Sequence, residues 1–289
     1  MKILVTGATG QLGHDCVLAL RERGHEVRGV SSRECPLTDE RAVHSCIEAF
    51  RPNAVIHAAA YTAVDKAEDE PALCMAVNAM GTEHVAAACR AAGATLLYIS
   101  TDYVFPGTGT AAYEVGAEKG PLNVYGKSKL AGEEAVMRLC PQSFIVRVSW
   151  VFGIGGKNFI RTMLKLAETH EEVSVVDDQV GSPTYTRDLS NLLADMIETR
   201  RFGIYHATNE GFCSWAEVAA EAFRQAGRKT RVIPVPSTAY PTKAKRPRNS
   251  RLKKDSLDRA NFSRLPRWKD AIGRYLIELS EAHGLDGAD

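Results

Sequence analysis

The sequence predicts an α/β fold of the Rossmann type, a doubly wound parallel sheet followed by a smaller C-terminal α/β region. Three observations carry this. Short apolar runs alternate with amphipathic segments along the first half of the chain. The first run, Lys2-Ile-Leu-Val-Thr6, feeds straight into Gly7-Ala-Thr-Gly10-Gln-Leu-Gly13. Further on, Tyr125-Gly-Lys-Ser-Lys129 sets a phenol and an ammonium one helical turn apart on the same face.

Each element follows from local pattern. Lys2–Thr6 is β-branched and apolar, as a strand buried on both faces should be. Gly7 permits a tight turn, Gly10 lets the backbone approach a pyrophosphate, and Gly13 lets a helix pack close to the strand. Leu12, Cys16, Val17 and Leu20 then recur at helical spacing. A pyrophosphate there would meet the free N–H groups and positive dipole end of that helix, so Thr9, Gln11 and Leu12 join the glycines as candidate cofactor contacts. His25–Val30 reads as a second strand, 39–50 as a helix, Ala54–His57 as a third strand, and Pro71–Ala92 as one long helix. Thr95–Ser100 is a fourth strand, Tyr125–Leu139 a helix and Phe144–Ser149 a fifth strand; 157–169 and 187–201 read as helices.

Parallel sheets of this kind bind ligands at the carboxyl ends of their strands. The glycine loop, Ala58-Ala59-Ala60, Ser100-Thr101 and Trp150 all follow strand ends, so they are expected to converge on one crevice. Residues 1–150 are expected to form a dinucleotide-binding region, and 151–289 a mainly substrate-binding region interleaved with it. The second half is less regular. Pro234, Pro236, Pro241 and Pro247 break a basic stretch that includes Lys243–Arg251, which therefore cannot be helical throughout. Guanidinium forks match phosphate oxygens, so the stretch suits a phosphorylated ligand; the other reading is a solvated charge run.

With 289 residues, 45% of them hydrophobic, the chain has ample material for a core. A net charge of +1 speaks against a general nucleic-acid binder. No apolar run approaches the roughly 18–20 residues of a membrane span. The chain enters a strand at residue 2, leaving no room for a signal peptide, and its seven cysteines are scattered without a CxxC pair. A cytoplasmic protein with reduced thiols is the expectation. The eight histidines form no HExxH-like cluster, so no metal site is expected.

The chemistry centres on Tyr125. A neighbouring ammonium favours phenolate over phenol, so Lys129 is expected to bring Tyr125 down from about 10 toward the range of proton exchange with a sugar hydroxyl or carbonyl. Thr101 stands where a strand ends, either capping backbone groups or facing the same chemistry.

These motifs are joined by His57-Ala-Ala-Ala-Tyr-Thr-Ala-Val-Asp65, Asn78-Ala-Met-Gly-Thr82, Ile99-Ser-Thr-Asp-Tyr-Val-Phe105, Arg147-Val-Ser-Trp-Val-Phe-Gly153, Gly156-Lys-Asn-Phe159, Asp178-Gln-Val-Gly-Ser-Pro-Thr184 and Arg246-Pro-Arg-Asn-Ser250. Almost end to end, the chain resembles the extended short-chain dehydrogenase/reductases. It is most similar to the branch that reduces the C4 ketone of dTDP-4-dehydro-L-rhamnose to dTDP-L-rhamnose. The resemblance implies a catalytic set of Thr101, Tyr125 and Lys129. Tyr125 would give a proton to the ketone oxygen, Thr101 would hydrogen-bond it, and Lys129 would also hold the nicotinamide ribose. It places Thr62, Val64, Trp150, Asn158, Arg246 and Asn249 on the substrate side, with core packing the other reading for Trp150. Ala58, Ala59 and Ala60 would line the cofactor groove or pack helices, and Asn78 is equally suited to a structural role. The partner implied is a small-molecule nucleotide sugar, with the protein a monomer or homodimer.

Two details refine the expectation. Related 4,6-dehydratases carry an Asp-Glu pair after the threonine, whereas Thr101 is followed by Asp102-Tyr103, which favours simple reduction. An NAD enzyme would place an acid at the end of the second strand to hold the ribose 2′-hydroxyl. This chain has Ser31-Ser32-Arg33, which accommodates a 2′-phosphate, so NADPH is the expected cofactor with NADH possible. Two alternatives stay open: a reductase or epimerase of another nucleotide-linked keto sugar, and a non-catalytic nucleotide-binding subunit like that of methionine adenosyltransferase. The intact Thr-Tyr-Lys set speaks against the second.

Overall fold

The structure, a computed structural model, describes residues 1–285. Its centre is a six-stranded parallel sheet. Five strands are β1 (Lys2–Thr6), β2 (Glu26–Val30), β3 (Ala54–His57), β4 (Thr95–Thr101) and β5 (Ser143–Val148). The sixth, Gly203–His206, pairs with β5 and was absent from the sequence reading, because four residues between loops carry too little periodicity to register. The spatial order is β2-β1-β3-β4-β5 and then Gly203–His206. It reverses direction between β1 and β3, where doubly wound sheets open a ligand crevice.

Period-2 alternation explains how one sheet feeds two cores. Ile3, Val5, Ile56, Leu97 and Val146 face helices α1 (Gln11–Glu22) and Thr186–Ile197, whose Leu12, Cys16, Leu20, Leu189 and Leu193 cover them. Leu4, Val55, Leu96, Tyr98 and Ile145 face the opposite layer, the helices Glu40–Phe50, Gly81–Ala92 and Val124–Leu139. Each such large side chain contributes roughly 1.5–3 kcal/mol of burial. Thr186–Ile197 and Gly203–His206 thus return to the first layer, although both lie beyond residue 150.

The run read as one long helix is interrupted. Pro71–Met75 is α-helical, Ala76–Met80 forms a π-helical turn, and Gly81–Ala92 resumes the α-helix. Asn78 in that turn is buried; its amide donates to Tyr61 O (3.0 Å) and Ser128 Oγ (2.9 Å), and its Oδ1 accepts from Tyr61 N (2.7 Å). It therefore fastens the segment after β3 to the helix Val124–Leu139, which is a structural role.

Gly126, the one poor helix former beside Tyr125, has a packing reason. A Cβ there would lie 2.4 Å from the Tyr103 carbonyl oxygen, so only glycine lets this helix press against the end of β4. That approach sets Tyr125 against Thr101.

The remaining C-terminal elements form a second layer. Strands Glu172–Val176 and Arg231–Val235 pair in parallel beside the helices Phe159–Leu166, Trp215–Gln225 and Trp268–Leu285. Phe152, Tyr185, Val218, Ile272 and Tyr275 belong to their core. All seven cysteines are buried and unpaired. Among the described residues no helix is long and apolar enough to cross a membrane.

Candidate active site

A cleft of about 630 Å³ opens at the carboxyl ends of β1, β3, β4 and β5. The sequence-predicted Gly7, Thr9, Gly10, Gln11, Leu12, Gly13, Ser32, Ala58, Ala59, Ala60, Thr62, Val64, Thr101, Tyr125, Lys129 and Trp150 all line it. Short local motifs, each at a strand end, are brought together by parallel register alone.

One end is shaped for an anion. Gly7 has φ +69°, and a Cβ there would sit 2.7 Å from Ala59; a Cβ on Gly13 would sit 2.1 Å from Gly7 O. Gly10 is the N-cap of α1 and offers no side chain to the first-turn N–H groups, and no acid stands in that turn. The free N–H groups and the dipole therefore face the cleft unscreened, so a dinucleotide pyrophosphate fits this cradle. The Gln11 side chain is used elsewhere: its Oε1 accepts from Gly153 N (2.9 Å) and Asn158 Nδ2 (3.1 Å), tying the glycine loop to the second half of the chain.

The ribose end departs from expectation. Ser31 N and Oγ both donate to Glu34 Oε2 (2.9 and 2.8 Å), and these bonds hold the Glu34 carboxyl below its usual range. Ser31 and Arg33 do not line the cleft; only Ser32 of the three does. Arg33 is exposed and forms no ion pair among the described residues. Ser31 is held by the i,i+3 reach of Glu34, a local contact that type and spacing alone did not announce.

The reacting end is compact. Thr101 closes β4 and caps the single turn Asp102–Val104; its Oγ1 accepts from Tyr103 N (3.3 Å) and donates to Asp102 Oδ1 (3.0 Å). Tyr125 sits in the first turn of its helix, which Asn123 caps by accepting from Gly126 N (2.8 Å). Its ring meets Tyr103 edge-on, with centroids 5.6 Å apart. Lys129 lies one turn on, buried, with Nζ 4.1 Å from the centroid of the Tyr98 ring.

Here the expected tuning of the tyrosine is corrected. Burial, and then the Asp102 charge, push Tyr125 above its ordinary value; the Thr101 hydroxyl opposes this. Lys129 is not among the leading causes. Burial instead pushes the Lys129 ammonium down to about 7, against the pull of Glu133. Spacing put the two on one face, but Lys129 folds over Tyr98, and a desolvated ammonium is itself disfavoured.

On the substrate side, Trp150 has left-handed backbone (φ +52°), a strained conformation for a bulky residue. Its indole stacks on Trp215 with centroids 3.8 Å apart and 14° between planes. One face expected to be free for a sugar is thus covered, and Trp215 itself lines the cleft. A second cavity of about 880 Å³ shares Tyr103 and Trp215 with the first. Phe159, Met163 and Val175 give it apolar wall, and Arg246 and Arg248 give it charge. Arg246 Nη2 pairs with Asp65 (2.6 Å) and its Nη1 donates to Tyr103 Oη (3.3 Å). Arg248 is exposed, 3.9 Å from Asp178.

Two expected substrate contacts are otherwise engaged. Asn158 lines neither cavity. It caps the helix Phe159–Leu166 by accepting from Arg161 N (2.9 Å) and donates to Gln11 Oε1, Gly153 O and Tyr275 Oη. Asn249 is buried and ties the basic stretch to the loop that follows Asp102–Val104, donating to Ala111 O (2.8 Å) and Thr108 O (3.2 Å). Conversely, sequence reasoning gave no cleft role to Asp102, Tyr103 or Trp215. Adjacency to Thr101 was the signal available for the first two; Trp215 had none. Among the described residues no group of three or more His, Cys, Asp or Glu could hold a metal ion.

A dinucleotide cradle and a Thr-Tyr-Lys set within one cleft define an NAD(P)-dependent oxidoreductase of the short-chain dehydrogenase/reductase type. The RmlD substrate binding domain family matches residues 1–281, and the chain belongs to that family. It is 45% identical over 276 residues to a dTDP-4-dehydrorhamnose reductase of Streptomyces griseus, covering 93% of this chain and 91% of the relative. A dTDP-4-dehydrorhamnose reductase structure from Clostridium acetobutylicum superposes with a TM-score of 0.95 at 39% identity, over 97% of this chain and 100% of that one. One from Bacillus anthracis, in complex with NADP, gives 0.93 at 40% identity, over 96% and 99%.

Proposed function

We propose that the protein reduces the C4 ketone of dTDP-4-dehydro-L-rhamnose to dTDP-L-rhamnose with NADPH. The observation that carries this is convergence. Thr101, Tyr125 and Lys129 share a cleft with a pyrophosphate cradle, and that cleft adjoins a second, arginine-bearing cavity through Tyr103 and Trp215. The names of the relatives and the NADP held by one of them support the same reading. NADPH, when bound, supplies the hydride. Tyr125 keeps its proton through neutral pH, as a donor to the ketone oxygen must, and the resulting phenolate lies one turn from Lys129. Thr101 is placed to hold the oxygen as charge develops. Residues 1–150 would hold the cofactor and most of 151–289 the substrate side, in a cytoplasmic protein that is a monomer or homodimer.

The test is NADPH oxidation by purified protein offered dTDP-4-keto-L-rhamnose beside UDP- and GDP-linked keto sugars, with the product identified. dTDP-L-rhamnose formed at the highest kcat/KM is expected. No turnover of any of them, with NADPH bound, overturns the reading; preference for another base or sugar moves it to the related reductases.

NADPH is expected to exceed NADH in kcat/KM. Arg33 is exposed, and solvent screens its charge, so Arg33→Ala should reduce that preference by no more than about fivefold. A wild type favouring NADH contradicts the cofactor assignment.

The basic stretch gives another expectation. A substrate diphosphate would compete with Asp65 for Arg246 and recruit the exposed Arg248. Replacing both with Ala should raise substrate KM about tenfold, roughly 1.4 kcal/mol, and flatten its salt dependence while NADPH binding is unchanged. Wild-type KM at low salt would make the stretch a solvated charge run.

A further inference from the structure

Asp102 is 3% exposed, follows Thr101 directly and lines the cleft beside Tyr125. Its Oδ1 accepts the Thr101 hydroxyl at 3.0 Å, while its Oδ2 has no hydrogen-bond partner among the described residues. The consequence is a conflict over one proton. A hydroxyl has a single proton to give, and here it is given to a carboxylate. While that bond stands, Thr101 cannot donate to a substrate oxygen. A protonated Asp102 has no such claim on it, because its own O–H can turn to Thr101 Oγ1.

The surroundings favour that neutral form. Tyr125 faces Asp102 from its helix and Tyr103 from the adjoining turn, and the Asp102 charge pushes both phenols up. The Ser250 hydroxyl approaches the carboxyl from the basic loop and opposes the neutral form, although among the described residues it stands outside hydrogen-bond geometry. Among the described residues no cation touches the carboxyl: Arg246 is spent on Asp65 and Tyr103, and Lys129 lies over Tyr98. Burial accordingly raises Asp102 to about 7, with the Ser250 and Thr101 hydroxyls pulling the other way.

We propose that Asp102 is a positioning residue for the reduction: its protonated carboxyl releases the Thr101 hydroxyl to the ketone oxygen, and its ionisation recaptures that hydroxyl. This rests on the proposed ketone reduction.

The test compares pH profiles of kcat, with NADPH and keto sugar saturating, for wild type and Asp102→Asn. Wild-type kcat should fall as pH rises through about 7, tending to a roughly tenfold loss per pH unit above it. Asp102→Asn should be severalfold slower at pH 6, because an amide is a poorer substitute for the acid, and its remaining alkaline limb, now due to Lys129 alone, should be shallower than that of wild type. An alkaline limb that persists unmoved in the variant overturns the proposal. That limb would belong to Lys129, which titrates in the same range and is not moved by Asp102. A profile merely scaled down, limb included, marks a structural role and overturns it equally. If wild type turns over no keto sugar, the functional reading fails, and infrared difference spectra then test the device alone. A carboxylic-acid band that is present at neutral pH and missing in Asp102→Asn supports it; an Asp102 already ionised at pH 5 refutes it.

Discussion

Replacing Tyr125 with phenylalanine is expected to lower kcat by at least about 100-fold, some 2.7 kcal/mol in barrier, with NADPH Kd within about twofold of wild type. The change removes one oxygen and leaves the ring that packs edge-on against Tyr103. The helix keeps its Asn123 cap and its glycine approach to β4, so the fold around the missing hydroxyl is unaltered. What is lost is the proton. Tyr125 lies above its ordinary value, so the phenol stays protonated throughout the neutral range and loses no activity there by its own ionisation. Only after transfer does a stabilising partner matter, and Lys129 is the ammonium at hand. Steady-state kinetics with a separate titration of NADPH by fluorescence settles the point. A variant that keeps more than about a tenth of kcat retires Tyr125 as donor.

The cleft was legible in the sequence because its parts are local. A strand followed by three spaced glycines, three alanines after another strand, and a Tyr-Lys pair one turn apart each fix backbone geometry over a few residues, and parallel register then aligns the strand ends. The rest depends on contacts between distant segments. Lys129 was read correctly as a neighbour of Tyr125 in sequence, yet its ammonium goes to Tyr98 on β4. Asn158 and Asn249 matched motifs by position, but position does not reveal that one amide caps a helix and the other braces a loop. Trp215 reaches the cleft only because the C-terminal layer folds back over Trp150. The four-residue strand Gly203–His206 and the π-helical turn at Asn78 have no composition of their own to announce them; the first is completed by pairing with β5, and the second carries an Asn78 side chain bonded to Tyr61 and Ser128.

Glu133 is the clearest case of a contact that sequence could not show, and its loss should cost the most stability. It lies one turn beyond Lys129, fully buried, and accepts from Arg147 Nε (2.7 Å), Arg147 Nη2 (2.6 Å) and Ser100 Oγ (2.5 Å). Arg147, equally buried on β5, spends its remaining nitrogen on Val115 O (2.8 Å) and approaches His206 Nε2 (3.4 Å). Burial, and then Arg147 itself, drive His206 down to about 3, so the imidazole is neutral and serves as an acceptor. The Glu133 and Arg147 charges are thereby matched to each other. Glu133→Gln keeps the shape and removes the negative charge, leaving a buried guanidinium without its counterion. The expected loss is about 3–5 kcal/mol, seen as a fall in Tm of roughly 10 °C. The double replacement Glu133→Leu with Arg147→Met should recover most of it, because two apolar side chains leave no charge to desolvate. Activity of the single variant should also move: without Glu133 the Lys129 ammonium loses the charge that opposes its desolvation, so its titration shifts to lower pH. Thermal melts of the three proteins decide the matter. A Glu133→Gln protein melting with wild type would mean that water or backbone groups satisfy Arg147, and that the ion pair is not what holds β4, β5 and the Tyr125 helix in register.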